Sequence, residues 1–233
     1  MPGINAADVR TQNNKALRSA SYNGHVAVVH RLLQVPGMGV KDVRAQNNAA
    51  LRGASQIGHV AVVNRLLHVP GIDADDVRAN DNDALRWASK NGHVAVVDRL
   101  LRVPGIGAAD VRAEDNDALR WASENGHVAV VDRLLRVPGI GATDVRAEDN
   151  DALRWASRNG HDAVVDRLLQ VENMGVDDVR TKDNHALRWA SENGHVAVVD
   201  RLLQVEDTPG GRQANALKHA QMELRIHQAL QRG

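Results

Sequence analysis

The sequence lacks cysteine and phenylalanine, has a single tyrosine, and carries no net charge over 233 residues. Without cysteine the chain forms no disulfide, no cysteine-ligated metal centre and no thiol nucleophile. A balance of 29 basic and 29 acidic side chains argues against nucleic-acid binding by bulk electrostatics. The apolar runs are too short to span a bilayer, and the N-terminus does not have the layout of a signal peptide. We therefore expect a cytoplasmic protein that does not bind membranes, with a core of Leu, Val, Ala and Ile.

A repeat of 34 residues organises the sequence. The string Ala-Leu-Arg recurs at this spacing six times, beginning at Ala16, Ala50, Ala84, Ala118, Ala152 and Ala186. Residues 84–117 and 118–151 differ at only two positions, Lys90/Glu124 and Ala109/Thr143. A fixed period of this length is typical of a solenoid, in which each unit buries its apolar face only against its neighbours.

Each unit is predicted to contain two helices. The first covers Ala-Leu-Arg-Trp-Ala-Ser and ends at Asn-Gly, and the second carries the apolar stripe of Val-Val and Leu-Leu. An Asn before each first helix, such as Asn48 or Asn82, is predicted to be its N-cap. Val-Pro-Gly ends the second helix in most copies, and about a dozen loop residues are expected to lead to the next Asn.

The pattern resembles the ankyrin repeat, whose usual unit reads T-P-L-H-x-A-A-x-x-G-H-x-x-V-V-x-x-L-L-x-x-G-A-D-V-N-A. Copy four matches this unit over residues 117–127, and its Val-Val at 130–131 and Leu-Leu at 134–135 match the two apolar pairs. Residues 109–113 match the G-A-D-V-N-A element. The resemblance implies an all-α solenoid of helix-turn-helix repeats. T-P-L-H is replaced by x-A-L-R, the loop after D-V-R-A is shorter, and Pro-Gly-Ile-Gly is inserted, so we expect abbreviated hairpin fingers.

The amino-acid sequence of the repeats is similar to that of variant ankyrin arrays of giant viruses and of intracellular bacteria of protists. A protein of that kind would be a host-directed effector acting in the host cytosol. Met1–Ile4 matches the Val-Pro-Gly-Ile loop, so we expect the chain to begin within a repeat. The predicted organisation is a partial loop at 1–15, six repeats at 16–49, 50–83, 84–117, 118–151, 152–185 and 186–215, and a C-terminal capping helix at 216–233.

Histidine and serine recur once per repeat, at positions that favour structural roles. The Gly-His residues lie a full repeat apart without a second ligand nearby, so we expect them to tie neighbouring turns together rather than bind metal. Each Ser of Ala-Ser shares a helix face with Leu and Ala, and no acid is placed to form a catalytic triad with it. We therefore expect no enzyme, no catalytic residue, no metal and no cofactor.

Four tryptophans form one row, which has two interpretations. Trp87, Trp121, Trp155 and Trp189 either fill the seam between first helices or form an exposed contact row, since Trp is enriched in binding hot spots. Copies one and two carry Ser19 and Gly53 instead, which argues against complete burial. The Arg residues of Ala-Leu-Arg and of Asp-Val-Arg form two more rows. They either tie repeats together or make an anion-binding stripe.

The clearest variable position lies two residues before the helix-ending Gly. It holds Tyr22, Gln56, Lys90, Glu124, Arg158 and Glu192. We expect this position and the Trp row to bind a partner protein, in a groove of first helices and loop tips of a monomeric scaffold. One alternative is an engineered, consensus-like or recently amplified array without a selected partner. Another is anion or nucleic-acid binding through the Arg rows.

Overall fold

The computed structural model describes residues 5–206, which form seventeen α-helices and no strand. The predicted all-α class is confirmed. The predicted capping helix at 216–233 lies outside the described residues. Contacts within the chain divide the described residues into two units, with the boundary between Ile140 and Gly141. Over residues 5–206, none of the helices combines the length and the apolar character that crossing a membrane requires.

Two helices in every repeat follow the predicted pattern. The first helices, each including the turn that precedes it, are α2 (Thr11–Tyr22), α5 (Ala45–Ile57), α7 (Ala74–Lys90), α10 (Ala113–Glu124), α13 (Ala147–Arg158) and α16 (Thr181–Glu192). The second helices are α3 (Val26–Leu33), α6 (Val60–Leu67), α8 (Val94–Leu101), α11 (Val128–Leu135), α14 (Asp162–Leu169) and α17 (Val196–Glu206).

The core of each unit lies between these two sets of helices. In residues 1–140, α2, α5, α7 and α10 pack side by side in chain order, and α3, α6, α8 and α11 do the same. In the second unit α13 packs on α16, and α14 on α17. In copies one to five, the Leu of Ala-Leu-Arg has no exposed surface. The Val-Val pairs of copies two to five are at most 1% exposed. Small Ala residues one turn further along let the first helices approach closely.

The prediction of a loop between repeats is wrong, because a one-turn helix occupies much of this segment. These short helices are α1 (Ala6–Val9), α4 (Val40–Val43), α9 (Ala108–Val111), α12 (Ala142–Val145) and α15 (Val176–Val179), and before the first helix of copy three the same turn begins α7. In α4 the Asp42 carboxylate accepts from the Gly39 N–H at 2.9 Å, which closes the N-terminus of the turn. The segment therefore takes the place of the abbreviated hairpin finger.

The predicted Asn N-cap is also wrong. Three consecutive residues before each first helix have left-handed backbone, as in Gln46, Asn47 and Asn48 with φ of 56°, 53° and 57°. Instead of capping the helix, Asn48 donates from its amide to Oδ1 of Asp76, a residue of the next repeat, at 3.2 Å. Asn tolerates left-handed backbone better than most residues, so the type of residue suits the position although its role differs.

Candidate functional site

Three positions of each first helix lie on the side away from the core. In copy three these are Arg86, Trp87 and Lys90, all partly buried, whereas Leu85 and Ala88 of the same helix have no exposed surface. Positions i, i+1 and i+4 share one side of a helix. Within each unit, we call the surface made by the Arg, Trp and variable positions of the first helices the first-helix face.

The tryptophans of the first-helix face are partly buried and stacked in pairs. The ring centroids of Trp87 and Trp121 are 5.5 Å apart with the planes tilted by 46°. Trp155 and Trp189 make the same contact in the second unit, at 5.2 Å and 46°. Partial burial agrees with the expectation from Ser19 and Gly53. The rings thus pack on one another and still present surface to solvent.

Cations at the variable position bridge the paired rings. Nζ of Lys90 lies 4.8 Å from the Trp87 centroid and 4.9 Å from that of Trp121. The Arg158 guanidinium lies 4.8 Å from Trp155 and 5.1 Å from Trp189. The negative face of an indole ring attracts a cation at this distance. Variable and Trp positions therefore form one connected surface in each unit.

Tyr22 is the aromatic residue of the same face in the first two repeats. Its side chain is 49% exposed and lies against Gly53, where an added Cβ would be 3.3 Å from the ring. Beside it is a shallow depression of about 270 Å³, lined in part by Arg18 and Ser19. The other variable residues differ in exposure: Gln56 and Glu124 are partly buried, and Glu192 is exposed.

The Arg position of the first-helix face is engaged within the chain. Arg52 pairs with Asp83 at 3.0 Å and Arg86 with Asp117 at 2.6 Å, in each case the acid immediately before the Ala-Leu-Arg of the next repeat. Arg18 instead donates to the carbonyl oxygens of residues 12 and 13. These contacts support the interpretation that the row ties repeats together.

The Asp-Val-Arg row makes a second set of inter-repeat contacts. The guanidinium of Arg44 binds both carboxylate oxygens of Asp76, at 2.7 and 3.0 Å, and donates to the carbonyl oxygen of Gly71 at 2.9 Å. Arg78 and Asp110 repeat this bidentate pair at 2.7 and 3.3 Å. Sequence reasoning identified the Arg row but missed its partner 32 residues later. The signal was present, since all six copies carry Asp at Asp8, Asp42, Asp76, Asp110, Asp144 and Asp178.

These pairs shift the pKa of the buried acids. Burial by itself raises the pKa of Asp76, but hydrogen bonds from Arg44, from the Asp73 N–H and from Asn48 outweigh it and leave the pKa below its ordinary value. Asp42 behaves in the same way beside Arg10, and its pKa is also lowered. Both acids are therefore ionised parts of the inter-repeat contact at neutral pH.

The Gly-His residues connect neighbouring repeats, as predicted. Nε2 of His93 donates to the carbonyl oxygen of Gln56 at 3.0 Å, and His127 makes the same bond to Lys90 at 2.9 Å. Each imidazole also lies over the helix-ending Gly of the preceding repeat. A Cβ on Gly58 would be 2.5 Å from Nδ1 of His93, so no larger residue fits there.

The Ser of Ala-Ser is a packing residue in five of the six copies. Ser21, Ser55, Ser89, Ser123 and Ser157 have no exposed surface. Ser191 is exposed and donates to the carbonyl oxygen of Leu187 at 2.8 Å. Within residues 5–206 no three His, Asp or Glu side chains are grouped as a metal site would require.

Known proteins of similar sequence and structure share this repeat. The family model for ankyrin repeats in three copies matches residues 49–149 and 119–215. No curated protein matches the sequence.

Several solved structures share the fold. An ankyrin repeat domain from Acinetobacter baumannii superposes with a TM-score of 0.59 at 23% identity, over 81% of this chain and 96% of that one. The human ASB11 ankyrin repeat domain gives 0.60 at 23% identity, over 81% and 82%. An ankyrin repeat family protein from Legionella pneumophila gives 0.50 at 20% identity, over 89% and 74%. With the family model matched over most of its length, and with helices in the order that the repeat requires, the chain belongs to the ankyrin repeat family.

Proposed function

We propose that the protein is a non-enzymatic scaffold that binds a partner protein through the first-helix face and the left-handed turns beside it. Ankyrin repeat domains generally mediate protein–protein interaction. The observation that carries the proposal for this chain is the pair of partly buried tryptophans, Trp87 and Trp121, bridged by Lys90.

The packing of these side chains favours binding. Indole rings that are stacked and mounted on helices lose little conformational freedom when a partner covers them. Trp is also among the residues that contribute most to binding energy at interfaces. The partly buried rings of Trp87 and Trp121 therefore supply apolar area at a low ordering cost.

The variable position supplies a source of selectivity. Within residues 1–140 it changes from Tyr22 to Gln56, Lys90 and Glu124, while the neighbouring packing residues stay the same. A partner would meet an aromatic, an amide, a cation and a carboxylate at one register of successive first helices. A pattern of this kind discriminates partners by charge more than it adds affinity.

The test compares capture of proteins from host-cell lysate by three versions of the chain. One is wild type, one carries Tyr22→Ala, Lys90→Ala, Glu124→Ala and Arg158→Ala, and the control carries Arg102→Ala and Arg136→Ala, the residues that directly follow two of the second helices. The two control arginines are 70% and 69% exposed, and each pairs with an Asp four residues earlier in its own repeat. We expect a protein retained by wild type and control and lost by the first variant, with circular dichroism unchanged in all three.

A structural array without a selected partner is the second candidate. The observation that favours it is the near-identity of residues 84–117 and 118–151, which leaves few positions where binding could have been selected. Equal capture by all three versions, or none, would support this candidate. The third alternative, anion binding through the Arg rows, has less support because Arg44, Arg78 and Arg86 are paired with acids of the chain.

A further inference from the structure

The second helices are tied together by an Arg that reaches the preceding repeat. Nε of Arg99 donates to Oδ1 of Asn64 at 2.7 Å, and Nε of Arg133 to Oδ1 of Asp98 at 2.8 Å. The acceptor lies 35 residues before the Arg in each case. In the second unit, Arg201 pairs with Asp166 at the same separation. An Asn or Asp oxygen thus satisfies the Arg in three repeats.

Arg65 occupies this position in the second repeat but has no such acceptor. The residue 35 places earlier is His30, whose Nε2 is 2.9 Å from the side-chain amide nitrogen of Gln34. Among the described residues, Arg65 makes no side-chain hydrogen bond or ion pair, and its Nε is shielded from solvent without a partner. A buried donor left without an acceptor is costly, so a small movement of this partly exposed guanidinium towards an added acceptor would be favourable.

A cavity of about 300 Å³ adjoins this guanidinium. Its polar lining includes Arg65 and His68, and its apolar lining is Leu33, Met38, Val69 and Pro70. Nδ1 of His68 lies 2.6 Å from the backbone carbonyl oxygen of Asn64, a contact that holds the imidazole to its own helix. The volume is at the lower end of the range for small-molecule sites, which combine an apolar wall with a few polar groups.

We propose that this cavity binds a small carboxylic acid with a short apolar chain. The carboxylate lies in the cavity and accepts hydrogen bonds from the Arg65 guanidinium, which thereby gains the kind of acceptor that Asp98 provides for Arg133. The apolar chain lies against Leu33 and Met38, which rules out a ligand that is charged throughout. The site is at the C-terminal ends of α3 and α6 and is separate from the first-helix face.

Titration of the full chain with butyrate tests the site. Butyrate has one carboxylate and a three-carbon chain, and the Nε–Hε resonances of the arginines in ¹⁵N-correlated NMR spectra report on each guanidinium. We expect a saturable shift of the Arg65 resonance and none of the Arg99 resonance, whose Nε already has an acceptor. Inorganic phosphate and butanol, titrated in parallel, should each bind at least about tenfold more weakly than butyrate.

Two substitutions separate the proposal from a general effect of the anion. His30→Asp supplies an internal carboxylate at the position used by the other repeats, and it should weaken butyrate binding by about tenfold or more. Asp98→Asn changes the corresponding position two repeats further on and should leave butyrate binding unchanged. Circular dichroism checks that both variants fold.

Three results would overturn the proposal. The first is the absence of a saturable shift at Arg65 with butyrate. The second is equal binding of butyrate by wild type and His30→Asp. The third is phosphate binding as tight as butyrate binding, which would show an anion site with no role for the apolar wall.

Discussion

Nζ of Lys90 lies 4.9 Å from the ring centroid of Trp121, a residue of the next repeat. The contact couples the variable position of one first helix to the Trp position of its neighbour. An exposed cation–π contact contributes about 0.5–1 kcal/mol. We expect Lys90→Met and Trp121→Leu to show a coupling free energy of about that size in a double-mutant cycle measured by urea unfolding. The exposed Lys41, changed to Met with the same Trp121→Leu, should show no coupling.

Gly58→Ala tests the contact between repeats at the Gly-His turn. The residue has φ of +88°, and an added Cβ would be 2.5 Å from the His93 ring. Backbone strain and the clash together should lower the free energy of unfolding by about 2–3 kcal/mol. Adding His93→Ala should recover part of this loss, because the ring is then absent.

Gly107→Ala is the matched control for that substitution. This glycine has extended backbone, and no atom lies within 4 Å of an added Cβ. The free energy of unfolding of the Gly107→Ala variant should differ from that of wild type by no more than about 0.5–1 kcal/mol. A loss as large as that of Gly58→Ala would contradict the assignment of the effect to His93.

Asp76→Ala should be among the more destabilising changes of a charged residue. It leaves the Arg44 guanidinium, the Asp73 N–H and the Asn48 amide without their common acceptor. Loss of these partners at a site that is 2% exposed should cost about 2–3 kcal/mol in urea unfolding. Asp75→Ala, beside it but with its side chain 86% exposed, should change the same quantity by about 0.5 kcal/mol or less.

The lowered pKa values of Asp42 and Asp76 predict a stability that falls in acid. Both pKa values lie below the ordinary 3.8 in the folded chain, so the folded state prefers the ionised acids. Their contribution is complete above that value and is lost as the pH falls through the lowered pKa. The variant Asp42→Asn with Asp76→Asn should therefore lose less stability than wild type between about pH 6 and about pH 3. If the free energy of unfolding fell with pH in parallel for the two proteins, this assignment would be contradicted.

Periodicity was sufficient to predict the helices and the small packing residues. The spacing of Val-Val and Leu-Leu determines the buried stripe of the second helices, and Gly-His marks the turn between the two helices. The first-helix face could also be predicted from the sequence, since Trp87 and Lys90 are three residues apart on one side of a helix. Their contact with Trp121 needed the structure, because it depends on the distance between neighbouring helices.

The segment between repeats could not be predicted in the same way. The left-handed turn at Gln46, Asn47 and Asn48 consists of residues that read equally well as a loop and an N-cap. Part of what holds it is Asp76, which lies 28 residues beyond Asn48 and accepts a hydrogen bond from its amide. The sequence also could not show that Arg65 lacks an acceptor. His30 differs from the Asn or Asp of the other repeats, but this matters only once the pairing over 35 residues is known.

His30→Asp should stabilise the chain in the absence of any ligand. Arg133 and Asp98 show that an acid at this position accepts directly from Nε of the Arg on the next second helix, at 2.8 Å. A new pair with Arg65 would satisfy a shielded donor, and it should raise the free energy of unfolding by about 0.5–1 kcal/mol. The gain should vanish when Arg65 is also changed to Gln. An equal gain in the Arg65→Gln background would assign it to loss of the His30 imidazole, and the pairing over 35 residues would then not extend to the first two repeats.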